Sequence, residues 1–350
     1  MTVTSNADGG FLSTFQAGGL NWVFYEDNNA NIQFVTCPIS SCVWSPPTKV
    51  PTAGTATADF WNSGGTVYYV SSSNSWTDSN FYFGTGVLSS SGTVSWSPEQ
   101  TVSTGNLAVR VDKGIVDSGG NAWVAVSDTD GANSDHFQVF YHTTSWATSL
   151  DIRAGNAGGF PNDFFLGYPV SLTAGKVAVI YQETYGNTPH PNANIRTCSG
   201  IGCTWSSPVT DATASVGQTS ATNIGDTVQF CSYNSLGTGD LDYLTFAYGA
   251  SSWNVKVISP GVATTTGGYN CAITTNGVEL GVVYSSEGPG TYYTYSLDGG
   301  ATWSPLAQID YFGATHSQRQ TVPPTFSGSF PLVWYCKQYP VSTIRFATLS

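Results

Sequence analysis

The sequence predicts an all-β chain that folds as a seven-bladed β-propeller. Three observations lead to this prediction: helix formers are scarce, Trp residues recur at a regular period, and seven similar strand segments follow one another. The chain of 350 residues has a single Met, and charged residues make up only 9% of it. Short alternating runs of Val, Tyr, Phe, Trp and Thr, separated by Gly, Asn, Ser and Pro, are typical of β-strands.

The repeat is marked by Trp residues, most of which are followed closely by Ser and Pro. They are Trp44, Trp96, Trp146, Trp205, Trp253 and Trp303. Successive spacings are 52, 50, 59, 48 and 50 residues. A period near fifty with four short antiparallel strands per repeat fits a propeller blade.

Seven segments have the pattern expected of the third strand in successive blades. They are residues 31–37, 80–86, 137–143, 194–198, 242–247, 292–296 and 343–348. The last copy stops at the chain end, so we expect residues 2–5 to supply its outer strand and close the ring. A six-bladed ring with an irregular appendage is the alternative. We predict one domain over residues 1–350, with blades that start near residues 8, 54, 105, 158, 216, 267 and 314.

The charge of the chain argues against two classes of partner. The formal net charge is −12, with ten Lys and Arg against 22 Asp and Glu. Phosphate binding needs clustered positive charge, so we expect no nucleic-acid partner. No apolar run approaches the length that spans a bilayer, so we expect no membrane insertion.

Seven cysteines indicate an oxidising, extracellular or cell-surface location. Two pairs have a spacing of five residues, and each pair stands just before a Trp. This spacing does not match a zinc site and no His lies near either pair, so local disulfides are the better interpretation and no metal is expected there. The predicted disulfides are Cys37–Cys42, Cys198–Cys203 and, by preference among the remaining three cysteines, Cys231–Cys271.

One predicted turn carries a longer motif. Residues 296–303 read Ser-Leu-Asp-Gly-Gly-Ala-Thr-Trp. The pattern resembles the Asp box, or BNR repeat, of the sialidase-like β-propellers. The resemblance implies that the Ser and Asp tie the turn between third and fourth strands, and that the Trp packs between blades on the face opposite the active site. The residues of the box are Ser296, Asp298, Gly300 and Trp303.

The resemblance also implies that ligands bind on the face that carries the loops between second and third strands. Six of the seven predicted loops there carry a carboxylate, several of them beside an aromatic residue. Carboxylates accept hydrogen bonds from sugar hydroxyls and aromatic rings stack on sugar faces, which favours glycan binding. The alternative is that Asp is simply common in turns. The candidate ligand-binding residues are Glu26, Asp27, Trp76, Asp78, Asp128, Tyr185, Glu287 and Tyr339.

Sialidase chemistry itself fits the sequence poorly. The resemblance implies three Arg that clamp a carboxylate, but only two of the five Arg fall on predicted innermost strands. We therefore expect no true sialidase. A different hydrolase or lyase would need an acid pair, or a base beside a cation, at the pore mouth. Its candidate catalytic residues are Arg110, Arg319, His316, Asp163, Asp59 and Glu183.

The leading hypothesis is an extracellular binding propeller that recognises a glycan or another surface ligand through one loop face. A glycan-active hydrolase or lyase is the first alternative, and a structural component of an extracellular assembly is the second. No cofactor is expected. Calcium at Asp128, Asp130 and Asp135 is an alternative, although their spacing fits no complete ion loop.

Overall fold

The computed structural model describes residues 2–4, 11–54, 57–73, 75, 77–129, 134–155, 166–182, 192–214, 220–234, 238–262, 270–286, 290–310, 317–338 and 341–349. Within these ranges the chain forms 29 strands and one short 3₁₀ turn, Thr173–Gly175. None of the helical structure in this part of the chain has the length and hydropathy that a membrane crossing requires.

Seven antiparallel sheets follow one another along the chain, and each is one blade. Blade 1 contains β2 (Leu12–Ala17), β3 (Leu20–Glu26), β4 (Ile32–Pro38) and β5 (Thr48–Lys49). Blade 2 contains β6 (Thr57–Ser63), β7 (Thr66–Ser72), β8 (Asn80–Leu88) and β10 (Gln100–Ser103), and the short β9 (Val94–Trp96) also pairs with β8. Blade 3 contains β11 (Leu107–Val116), β12 (Ala122–Thr129), β13 (Ser134–His142) and β14 (Trp146–Gly155).

The later blades repeat this order. Blade 4 contains β15 (Leu166–Ser171), β16 (Lys176–Gln182), β17 (Ala193–Ser199) and β18 (Val209–Asp211). Blade 5 contains β19 (Ala221–Ile224), β20 (Thr227–Tyr233), β21 (Leu241–Ala247) and β22 (Asn254–Ser259). Blade 6 contains β23 (Asn270–Thr275), β24 (Leu280–Ser286), β25 (Gly290–Ser296) and β26 (Ala307–Asp310). Blade 7 contains β27 (Ser317–Thr321), β28 (Phe330–Gln338), β29 (Val341–Leu349) and, from the N-terminus, β1 (Thr2–Thr4).

The N-terminal strand closes the ring, as the sequence predicts. Strand β1 pairs antiparallel with β29, with Thr2 opposite Arg345 and Thr4 opposite Ile344. The first strands of the blades line the axis, because β2, β6, β11, β15, β19, β23 and β27 contact one another in that order and β27 contacts β2. All seven predicted third strands overlap observed third strands.

Each junction between blades is a separate hydrophobic cluster. The buried apolar side chains form seven clusters, each shared by two neighbouring blades, and one of them joins blade 7 to blade 1. On β12, Trp123 and Ala125 pack toward blade 4, whereas Val124 and Val126 pack toward blade 2. Alternate residues of a strand point to opposite faces, so a strand between two neighbours must be apolar throughout. Because seven sheets and seven junctions close the ring, the six-bladed alternative is wrong.

Proline displaces the start of the outer strands. The Trp residues of the repeat fall close to the starts of the outer strands, and Trp146 itself begins β14. Where Pro follows the Trp, as after Trp44 and Trp303, the strand begins later, at Thr48 and Ala307. Proline has no N–H to donate to the sheet, so pairing resumes only beyond it.

The turn at Ser296 is tied by its own side chains. Ser296 Oγ donates to Asp298 Oδ1 at 2.8 Å and accepts from the Gly300 N–H at 2.8 Å. Asp298 Oδ1 accepts from the Thr302 N–H at 2.7 Å. Trp303, at the end of the turn, packs edge-on against Tyr243 of blade 5, with ring centroids 5.2 Å apart. These bonds hold the turn while its Trp fills the blade junction.

Disulfides occupy the corresponding turns of two other blades. Cys37 is bonded to Cys42 in blade 1, and Cys198 to Cys203 in blade 4. The Trp that follows packs edge-on against the preceding blade in both cases, Trp44 on Phe346 and Trp205 on Trp123. The turn between the third and fourth strands is thus held by hydrogen bonds in blade 6 and by disulfides in blades 1 and 4.

The third disulfide connects two blades instead of the two ends of one turn. Cys231 of β20 is bonded to Cys271 of β23, so the bond joins blades 5 and 6 across a sequence separation of 40 residues. Both half-cystines are fully buried in the cluster between these blades. All three predicted disulfides are present in the structure.

Removal of the inter-blade disulfide should destabilise the protein more than removal of a turn disulfide. Loop-closure entropy gives about 4 kcal/mol for the Cys231–Cys271 bond and about 2 kcal/mol for the Cys37–Cys42 bond. We expect the double variant C231A/C271A to lose more unfolding free energy than C37A/C42A in guanidinium titrations. Equal losses, or the opposite order, would show that the long bond does not constrain the unfolded chain in this way.

Candidate functional site on the loop face

The blades present two different faces. We call the loop face the one that carries the loops between second and third strands and between blades, and the turn face the opposite one. Described carboxylates at the loop face are Glu26, Asp27, Asp78, Asp128, Asp211, Asp240 and Asp242. The turn face carries Glu99, Asp117, Asp226, Glu279 and Asp298. Acids therefore occur on both faces but are more numerous on the loop face, among the described residues.

Several sequence-predicted residues fall outside this description. His316, Asp163, Glu183, Trp76, Tyr185, Glu287, Tyr339 and Asp130 lie outside the described residues. Arg319 lies on the innermost strand β27, as predicted, and Asp135 lies on β13, but the side chains of both are outside the described set. Their roles remain predictions.

Asp27 ties its own loop. It is 2% exposed, and its Oδ1 accepts from the backbone N–H groups of Asn29 at 2.8 Å and of Asn31 at 2.9 Å. Although burial opposes ionisation, hydrogen bonds from Asn29, Asn31 and Gln33 hold the pKa of Asp27 below its ordinary value. A carboxylate with this many donors has little capacity left for a ligand.

Asp78 has a similar environment. Ser73 Oγ donates to its Oδ2 at 2.6 Å, and the Tyr82 hydroxyl donates to the same oxygen at 3.0 Å. The Asn80 N–H donates to Oδ1 at 3.1 Å. Burial opposes ionisation here as well, but these hydrogen bonds lower the pKa of Asp78 overall. Asp27 and Asp78 thus stabilise loops of blades 1 and 2.

Asp59 lies inside the ring on β6 and is 4% exposed. It accepts hydrogen bonds from Ser13 Oγ at 3.0 Å, from Lys113 Nζ at 2.7 Å and from the Gly114 N–H at 3.0 Å. These partners lie on β2 and β11, so the carboxylate connects the first strands of blades 1, 2 and 3. The three residues that surround it also line an axial cavity of about 70 Å³, which has room for several water molecules.

Strand β11 is irregular where it carries Arg110. Its pairing with β12 shifts register twice, and Ala108 adopts a left-handed conformation with φ of 54°. Bulges redirect side chains, and strained residues that are not Gly occur most often at functional sites. Arg110 is exposed, whereas Asp112, two residues further on, is only partly exposed. The innermost strand therefore carries a cation and an acid close together near the pore mouth.

The environment of Asp112 favours its protonated form. Burial raises the pKa of Asp112 to about 7, although the Ser127 hydroxyl and the charge of Arg110 act in the opposite direction. Ser127 Oγ donates to Asp112 Oδ2 at 2.8 Å. An acid that titrates near neutral pH can deliver or accept a proton. Sequence reasoning missed this residue, because no local motif marks it.

Asp128 is the last but one residue of strand β12, beneath the loop face, and is 5% exposed. Asn106 Nδ2 donates to its Oδ1 at 3.0 Å, but Oδ2 is buried without a hydrogen bond. Burial raises the pKa of Asp128 to about 6, against the lowering effects of the Thr104 hydroxyl, the Asn106 amide and the charge of the nearby His136. His136 in turn contacts Asp151, with Nδ1 to Oδ1 at 2.9 Å. Oδ2 of Asp128 therefore has no hydrogen-bond donor in the protein, and a ligand could supply one.

A second carboxylate of this kind lies at the start of β21. Asp242 is 3% exposed, and its Oδ1 is buried without a hydrogen bond. Burial, together with the charges of Asp240 and Asp211, raises the pKa of Asp242 to about 6. Its loop is one of the six acidic loops in the sequence, but only the structure distinguishes it from Asp27.

The described side chains do not form a metal centre. Across the described ranges, no group of three or more His, Cys, Asp or Glu side chains is arranged to hold a metal ion. The calcium alternative at Asp128, Asp130 and Asp135 depends on side chains outside those ranges and stays a prediction.

Comparisons with known proteins give the fold. No protein-family model matches the sequence, and no curated protein matches it. The structure is similar to the BP39L lectin from Burkholderia pseudomallei, with a TM-score of 0.59, 15% identity and 100% of both chains covered. It is also similar to AofleA from Arthrobotrys oligospora, with a TM-score of 0.55, 11% identity, and 88% of this chain and 87% of that chain covered.

A third similarity is to Trypanosoma rangeli sialidase in complex with sialic acid. The TM-score is 0.50 at 11% identity, and the match covers 97% of this chain but 53% of the sialidase. The chain thus spans about half the length of that enzyme. At these identities the likeness establishes a β-propeller and nothing more specific.

Because the pKa of Asp242 is raised in the folded state, we expect the free energy of unfolding to depend on pH through this residue. Between the ordinary Asp value of about 4 and the folded value of about 6, the folded state binds more protons than the unfolded chain. Stability from this group is therefore lost as the pH rises through that window. We expect Asp242→Asn to be nearly neutral near pH 4 and to stabilise the protein by roughly 2–3 kcal/mol near pH 7, in urea titrations.

Asp226→Asn on the turn face is the matched control. Hydrogen bonds from Lys176 and Thr173 lower the pKa of Asp226, so its stabilising effect is present at neutral pH and is lost as the pH falls below the ordinary Asp value. We expect this variant to destabilise near neutral pH. If Asp242→Asn destabilises at both pH values, Asp242 has partners that the structure does not show.

Proposed function

We propose that the protein is an extracellular glycan-binding propeller whose loop face receives the ligand. The observation that carries this proposal is the pair Asp128 and Asp242, whose buried oxygens lack donors. A buried acceptor without a partner costs roughly 1–3 kcal/mol, which a ligand with donor groups would offset. Sugar hydroxyls are such donors, and the predicted aromatic residues of the same face would supply stacking surfaces.

Three further observations support this proposal. The disulfides fit an oxidising, extracellular setting. The tied turn at Ser296 and its Trp support a relationship with the Asp-box propellers. The structural similarity to a protein named as a lectin, over the full length of both chains, supports carbohydrate binding by this shape of molecule.

A glycan-active hydrolase or lyase is the second candidate. The specific observation in its favour is Asp112, an acid with a pKa of about 7 beside Arg110 at the pore mouth. Such an acid could protonate a leaving group while the guanidinium holds an anionic part of the substrate. This candidate predicts turnover of a glycan that Asp112→Asn abolishes.

A glycan array with parallel turnover assays tests the first candidate against the second. We expect binding without cleavage, and we expect Asp128→Asn to weaken binding at least about tenfold, because a hydrogen bond to a charged group contributes about 1.5–3 kcal/mol. Glu279→Gln removes one negative charge from the turn face and should leave binding unchanged. Cleavage that depends on Asp112 would favour the enzyme, and no interaction with any glycan would refute both candidates.

A further inference from the structure

The junction between blades 4 and 5 gathers polar groups from two strands and a connecting loop. Strand β18 ends at Asp211, and β21 begins just after Asp240. A backbone bridge between Ala214 and Asn234 holds the loop after β18 against the end of β20. We call the group Asp211, Asn234, Asp240 and Asp242 the junction acceptors. They lie at the loop face, where the second strand of blade 5 turns into the third.

Two of the junction acceptors are fixed by hydrogen bonds. Asp211 Oδ1 accepts from the backbone N–H groups of Thr213 at 2.9 Å and of Ala214 at 3.0 Å. Asp240 Oδ1 accepts from the Gly261 N–H at 2.7 Å, and its Oδ2 accepts from the Thr238 hydroxyl. These carboxylates are therefore held in place as fixed negative charges.

The other two present buried oxygens that accept nothing. Asp242 is 3% exposed and its Oδ1 has no hydrogen-bond partner. The side-chain oxygen of Asn234 is also buried without a partner. The two charges that act on Asp242 are those of Asp240 and Asp211, and both oppose its ionisation. The site therefore has an excess of acceptors and negative charge.

A ligand that matches these acceptors would combine hydrogen-bond donors with positive charge. A hydroxyl group supplies one donor but no charge, whereas a primary ammonium supplies three donors and one positive charge. A metal ion is a poorer match, because the described residues offer no group of three or more ligating side chains arranged around one point. A carboxylate-bearing sugar would be repelled by the three acids.

We propose that the junction acceptors bind the ammonium group of an amino sugar, with Asp242 as its principal hydrogen-bond acceptor. This assignment rests on the proposed glycan-binding function and names the class of glycan. The ammonium would donate to the buried oxygens of Asp242 and Asn234, while Asp211 and Asp240 stabilise its charge. Binding would in turn favour the ionised form of Asp242.

Two oligosaccharides that differ in one group test the assignment. Isothermal titration with the full chain would compare a β-1,4-linked glucosamine oligomer with its N-acetylated counterpart of the same length, at about pH 6, so that most of the amines carry a proton. Acetylation removes the charge and two donors. We expect the free-amine oligomer to bind at least about tenfold more tightly, a difference of about 1.4 kcal/mol.

Variants separate this site from the rest of the loop face. Asp242→Asn should remove the preference for the free amine, so that the two oligomers bind with similar affinity, and Glu279→Gln on the turn face should preserve the preference. Circular dichroism of each variant confirms folding.

A preference that survives Asp242→Asn, or equal binding of both oligomers, overturns the assignment but leaves glycan binding standing. Spermine binding as tightly as the glucosamine oligomer would also overturn the sugar assignment. Failure of every glycan on the array would refute the proposed function itself.

Discussion

Each blade is a small sheet that must bury both of its faces, and this constraint can be met only if the ring closes. The seven hydrophobic clusters correspond to seven junctions, and the junction of blades 7 and 1 has the same character as the others. Closure is completed by β1, which gives blade 7 its outer strand from the opposite end of the chain. The axis, the loop face and the spacing of every loop on it depend on this closure.

The Asp residues of the ring fall into two groups with opposite environments. Asp27, Asp78 and Asp298 are surrounded by donors, so their pKa values are lowered and they hold loops and turns in shape. Asp128 and Asp242 are buried with fewer donors, so their pKa values are raised, and desolvation raises the pKa of Asp112 as well. Carboxylates of the second kind oppose folding near neutral pH. A function is the simplest reason for a chain to keep them, which is why the candidate site is centred on them.

The sequence predicts the architecture well, because the architecture depends on local and repeated signals. The Trp period, the apolar second strands and the paired cysteines each report a structural task that recurs in several blades. The exceptions have local causes, such as the late start of β5 after the prolines that follow Trp44. The repeat also predicts that β1 belongs to blade 7, because the third strand of that blade would otherwise lack an outer neighbour.

The candidate site is less predictable, because it depends on which acids receive donors from distant strands. Nothing in the sequence separates Asp27, which its own loop satisfies, from Asp242, whose Oδ1 is buried without a hydrogen bond. Asp59 was predicted at the pore, but its partners Ser13 and Lys113 come from neighbouring blades and give it a structural task. Asp112 escaped notice because the register shifts of β11 are visible only in the paired strands.

The central claim is that Asp128 and Asp242 are kept short of donors so that a ligand can supply them. Carboxyl carbon chemical shifts, followed by NMR through a pH titration with and without a bound oligosaccharide, measure this most directly. The account predicts that both residues titrate near pH 6 in the free protein and at least about one unit lower in the complex. Titration near the ordinary Asp value of about 4 in the free protein, unchanged by ligand, would contradict it.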